Sequence, residues 1–112
     1  VVQPLNKNWR GSVISRPFRE GSTLFQQLSK NAAKDKLEVL WWINRDLVIN
    51  DPFRIKKDIL KTSYQLGEAM EGHFYNGVST YFCHRHKAIV IIEDTDKYLD
   101  EKCRLLTSEN GY

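Results

Sequence analysis

A chain of 112 residues, 41% hydrophobic and 28% charged, has room for one domain with one modest core. No apolar run approaches the roughly 20 residues that a membrane-crossing helix needs, so no membrane partner is expected. The net charge of +3 hides a split: residues 1–61 carry 12 Lys/Arg against 6 Asp/Glu, and residues 62–112 carry 5 against 8. A basic half joined to an acidic half suits an anionic partner or a second copy of the chain.

No basic segment followed by an apolar one opens the chain, so no signal peptide is read and an intracellular setting is expected. The first residue is Val1, which fits a processed form or an excised domain. The only two cysteines are Cys83 and Cys103. Two are too few for a disulfide framework, and the favoured reading is a pair of free, mostly buried thiols, with a bridge as the minor one.

In chain order, residues 1–20 read as an irregular segment, because Pro4, Asn6, Asn8 and Gly11 interrupt any periodicity around Trp9. A short edge strand over residues 13–15 would be closed by Pro17. Residues 21–33 form a first helix: Thr23 followed by Gln26 matches a capping box, and Leu24, Phe25, Leu28 and Ala32 fall on one face. Residues 37–50 read as a hairpin, with apolar runs over 37–43 and 47–49 joined at Asn44-Arg45-Asp46. Its first strand carries Trp41 and Trp42 on opposite faces.

Asp51 as N-cap and Pro52 at the first helical position then predict a helix running to about Gly72. Its apolar stripe is Ile55, Ile59, Thr62, Leu66 and Met70. Arg54, Lys56, Lys57 and Lys61 crowd its first half, a charge order that opposes the helix dipole. Asn76-Gly77 marks a turn, and two strands follow over residues 78–82 and 88–92. The second of these is apolar on both faces and should be central. Asp94 or Thr95 caps a last helix with Leu99, Cys103 and Leu106 inward.

The order helix, two strands, helix, two strands, helix predicts an α+β two-layer sandwich. Its sheet has four mainly antiparallel strands with helices on one face. The domain spans residues 21–107, and residues 108–112 form a tail. A single helical layer covers one sheet face only, which leaves Trp42 and Tyr81 as candidate partner-binding residues and a homodimer as the favoured assembly.

Three clusters carry possible chemistry. His84 and His86, at alternate positions of an expected strand, point the same way, and His73 lies about ten residues earlier; these three are the candidate catalytic residues. No zinc spacing is present, and no metal is expected. The acids Glu93, Asp94 and Asp96 sit where a helix N-terminus wants negative charge. Arg10, Arg16 and Arg19 near Trp9 and Phe18, with Lys56, Lys57, Arg85 and Lys87, form an anion or nucleic-acid candidate set. No phosphate loop or catalytic motif appears, so no cofactor is expected and a non-enzymatic role is favoured.

The stretch Glu68-Ala69-Met70-Glu71-Gly72-His73-Phe74, with this element order, resembles the pterin-4a-carbinolamine dehydratase family. The resemblance covers residues 24–106 by layout. It implies four strands against three helices, with an acid and histidines at the end of the middle helix. His73 falls on the second histidine of that family's His-His-Pro motif, while Gly72 and Phe74 replace the other two residues. It therefore implies a relative without dehydratase chemistry, acting as a dimeric binding or assembly protein. The functions weighed are thus a binding or assembly protein acting through a sheet face or edge, a nucleic-acid binder using the basic N-terminal half, and a small dehydratase-like or nuclease-like enzyme.

Overall fold

The computed structural model describes residues 4–108. In chain order the elements are β1 (Ile14–Phe18), α1 (Leu24–Lys34), β2 (Glu38–Trp42), β3 (Phe53–Lys57), α2 (Ile59–Met70), a 3-10 turn (Glu71–His73), β4 (Val78–Cys83), β5 (Ala88–Glu93), α3 (Lys97–Lys102) and β6 (Arg104–Leu105). The class is α+β, as the sequence predicts. Six strands divide into a two-stranded ribbon, β1-β3, and a four-stranded sheet in the order β2-β5-β4-β6.

The local signals that held are those written within a few residues. Thr23 caps α1: its hydroxyl accepts the Gln26 N–H, and the Gln26 side chain answers to the Thr23 N–H, which makes a full capping box. Along α2, Ile59, Thr62, Leu66 and Met70 are all buried, as one stripe at helical spacing requires. β5 is central, and its first four residues are buried on both faces. The strand expected near residues 13–15 is β1, and it runs on through Pro17 as one side of the ribbon. The tail expected at 108–112 falls outside the described residues except for Ser108.

The hairpin over 37–50 does not form. β2 pairs in parallel with β5, Glu38 beside Ala88 and Trp42 beside Ile92. Residues 47–49 instead cross the start of α1: Leu24 N–H donates to Leu47 O at 2.9 Å and Ile49 N–H to Ser22 O at 2.8 Å. Asp46 decides this locally, because its Oδ1 accepts from both Leu47 N–H and Phe25 N–H and so ties the break to α1. The long apolar β5 then takes the flank of β2 that Leu47–Ile49 would have covered.

The helix start at Asp51-Pro52 is also displaced. Phe53–Lys57 is a strand, antiparallel to β1, and Ile55 is buried in it. Its alternation of apolar and basic residues has a period of two, and Pro52 stands just before the strand, where no ladder N–H is missed. The helix begins at Ile59, capped by Asp58, whose Oδ1 accepts the Lys61 N–H at 2.8 Å. Arg54, Lys56 and Lys57 therefore lie on β3, and of the four basic residues read as opposing the dipole only Lys61 is helical.

α1 touches β1 and β2, while α2 touches β3, β4 and β5, so the two helices lie between ribbon and sheet. The main core fills this layer with Phe18, Leu28, Ile55, Ile59, Leu60, Leu66, Met70, Phe82, Ile89 and Ile91. α2 comes very close to β4 at Gly67, where an added Cβ would meet Thr80 Oγ1 at 2.5 Å. α3 lies on the opposite face with a second, smaller cluster of Tyr81, Cys83, Val90 and Leu99. Three helices thus share two faces, two against one. Cys83 and Cys103 are joined in a disulfide, which corrects the free-thiol reading: the chain turns back after α3 and brings the two Cα atoms to 4.5 Å.

Candidate interaction surface

β2 stands at the end of the sheet. Glu38 N–H donates to Lys87 O at 3.0 Å on β5's side. In a parallel ladder, donors and acceptors of alternate residues face alternate edges. Val39 and Trp41 therefore aim their backbone N–H and C=O groups away from β5, and no strand pairs with β2 on that side among the described residues. Edge strands are commonly blunted by Lys, Pro or a bulge. Here the strand reads Glu38-Val39-Leu40-Trp41-Trp42, with one charge at its start.

The two tryptophans part company at this edge. Trp41 faces the main core, rests against Phe25 with centroids 5.4 Å apart, and donates from Nε1 to Arg45 O at 2.8 Å. Trp42 faces the other way and is 53% exposed. Leu40 and Ile92, on the same side, are half-buried. α3 covers the neighbouring part of that face through Leu99 and leaves Trp42 open.

Tyr81, the other candidate partner residue, is fully buried beneath α3. Its hydroxyl donates to Asp100 Oδ1 at 2.5 Å and accepts from Asp96 N–H at 3.3 Å. Burial, and then the bond to the Asp100 carboxylate, push this hydroxyl up to about 12. Tyr81 fastens α3 to the sheet. Asp96 caps α3 through Oδ2, which accepts the Leu99 N–H at 3.0 Å, so the expected cap lies one or two residues further on than Asp94 or Thr95.

The three histidines are not one site. His73 is exposed on the 3-10 turn before β4, and His84 and His86 lie beyond the other end of β4. The latter two sit in the β4–β5 turn and not on a strand, so strand alternation does not align them. Among the described residues no three of His, Cys, Asp and Glu are placed to hold a metal ion.

The basic set is dispersed in the same way. Arg16 is fully buried: it donates to Lys57 O, Asn31 O and Ser12 O, and pairs with Asp35 Oδ2 at 3.0 Å. It binds the ribbon to α1 and has no face left for an outside anion. Lys57 Nζ reaches Gln65 Oε1 at 2.7 Å. Arg19, Lys56 and Arg85 are exposed, and Lys87 takes a left-handed φ of 51° in the β4–β5 turn. Arg10 reaches Asp58, the cap of α2, at 3.4 Å. No periodicity announced β2 as an edge strand, since edge position depends on a pairing between distant residues.

No curated protein and no solved structure matches the chain. One protein-family model does: TcpQ, toxin co-regulated pilus biosynthesis protein Q, over residues 16–94. That match overturns the resemblance to the pterin-4a-carbinolamine dehydratases, which rested on element order and His73. The element order over residues 24–106 is the expected one, but β3 pairs with β1 in a separate ribbon instead of joining the four-stranded sheet, and His73 lies apart from the other histidines. The match runs from β1 to the end of β5 and covers well over half of the sequence, and the chain belongs to the toxin co-regulated pilus biosynthesis protein Q family.

Proposed function

We propose that this protein is a non-enzymatic assembly factor that docks a protein partner along the β2 edge, with Trp42 as its apolar anchor. The observation that carries this reading is the coincidence of an unprotected sheet edge and a half-exposed tryptophan on one five-residue strand. An added strand would satisfy the outward groups of Val39 and Trp41, and its side chains would meet Leu40, Trp42 and Ile92. Membership of a pilus-biosynthesis family supports an assembly role. The favoured occupant is a second copy, since two β2 strands meeting across a two-fold axis each complete the other's edge. The Cys83–Cys103 bridge suits an oxidising compartment, in place of the intracellular setting read from the sequence.

Sedimentation at micromolar concentration tests the proposal. A dimer that Trp42→Glu dissociates, with the circular dichroism spectrum retained, is the expected result. A monomer that also fails to bind any other pilus-assembly component through this edge would sink it.

A further inference from the structure

At the opposite side of the sheet from β2, residues 4–10 pass the end of β4 and approach the corner between α3 and β6. Leu5 N–H donates to His84 O at 3.0 Å, and Trp9 stacks on Phe82 with centroids 5.7 Å apart. Between this segment and the corner is a cleft of about 410 Å³ whose charged walls are Lys7, Lys102 and Arg104 against the single carboxylate of Glu101. A second hollow, lined by Pro4, Leu5, Asn6 and Arg85, continues from it and shares Lys7, Asn8 and His84. The two make a trough with Arg104 at one end, Arg85 at the other and apolar side chains on the way.

At and behind the Arg104 end of the trough, buried donors outnumber acceptors. The Arg104 guanidinium lies 5.5 Å over the Phe82 ring, and its Nε and Nη2 are buried without an acceptor. Arg10 Nη2 is in the same condition. The carboxylate at hand, Asp58, accepts Arg10 Nε with Oδ2, and its other oxygen caps α2. The carboxylate that pairs with Arg10 is thus already occupied and accepts nothing from Arg104. Burial, and after it the Arg10 cation, push Arg104 below the usual arginine range, with Asp58 opposing. A half-buried guanidinium with N–H groups lacking an acceptor gains from an anion brought near it.

We infer that the trough is a docking site for an acidic, extended segment of a protein partner, with a side-chain carboxylate at Arg104 flanked by Lys7 and Lys102. A guanidinium matches a planar carboxylate, and an elongated trough with cations at both ends fits spaced carboxylates better than a single small ion. Lys7, Lys102 and Arg104 lie outside the residues that the family model matches, and the inference does not rest on the β2 edge.

The test is nuclear magnetic resonance of the full chain titrated with tetraglutamate, tetraglutamine or inorganic phosphate. Tetraglutamate should move the Arg104 Nε–Hε signal and the Leu5 and His84 amides saturably, and its affinity should fall about tenfold between low and physiological salt. Lys7→Glu and Lys102→Glu, which alter exposed side chains, should each weaken it about fivefold or more, and Arg104→Gln should abolish it. Equal shifts with tetraglutamine would overturn the proposal. So would saturation by phosphate where tetraglutamate fails, or an affinity untouched by both lysine variants, whatever the folding of Arg104→Gln.

Discussion

The two faces of the four-stranded sheet are covered by very different means. On one, Phe82, Ile89 and Ile91 meet helices of 11 and 12 residues, backed in turn by the ribbon. On the other, Tyr81 and Val90 meet α3, a helix of 6 residues. A helix that short does not sustain itself, because nucleation is costly and few bonds repay it. It stays in place through a disulfide at its end, a capping aspartate at its start and a tyrosine hydroxyl from below. One face is held by apolar area, the other by point fastenings. The second arrangement covers only part of the sheet and leaves Trp42 outside.

The largest effect that sharpens this contrast should come from the area-held face. Leu66→Ala is expected to cost on the order of 2–5 kcal/mol in urea unfolding, spread over the whole domain. A loss below about 0.5 kcal/mol would show that the main core does not depend on the α2 stripe.

Next comes the staple. The bridge joins residues 20 apart, and replacing both cysteines by serine should cost about 3 kcal/mol through the loop it no longer closes. Hydrogen exchange should locate the damage, with amides of Lys97–Lys102 losing protection and those of α1 and α2 keeping theirs. Uniform loss across the domain would erase the distinction between the faces.

The smallest effect is a pH dependence. A hydroxyl held near 12 in the folded chain, against about 10 unfolded, means that the folded state keeps this proton longer. The stabilisation is therefore complete below pH 10 and is lost as pH rises from about 10 to about 12. Tyr81→Phe should cost about 1 kcal/mol at neutral pH and make unfolding less steep in alkali. An unchanged alkaline slope would mean that Tyr81 does not fasten α3.

Much of the fold was legible from patterns inside single elements. The Thr23–Gln26 capping box, the α2 stripe and the apolar run of β5 each gave the right element type. The misreadings arose where a strong local signal lost to pairing at a distance. Asp51-Pro52 resembles a helix start, yet Phe53 and Ile55 alternate with basic residues, and β1 was there to pair with them. The two apolar runs over 37–50 resemble a hairpin, but β5 was the better partner for the first. At the surface, the placing of Trp41 and Trp42 on opposite faces followed from strand alternation. Tyr81 could not be told from Trp42 without α3, which buries the one and stops short of the other.

The sequence by itself determined the α+β class, the type of most elements and which face of α2 is apolar, because these depend on periodicity and on caps a few residues away. The tertiary structure alone decided that β2 runs parallel to β5, that Cys83 meets Cys103, and that Arg16 is sealed against Asp35 instead of exposed to an anion. It alone decided that Arg10 pairs with Asp58 while Arg104 Nε and Nη2 are buried without an acceptor. Each of these joins residues far apart in the chain, and which distant segments meet is settled by competition for burial and for hydrogen-bond partners across the whole domain.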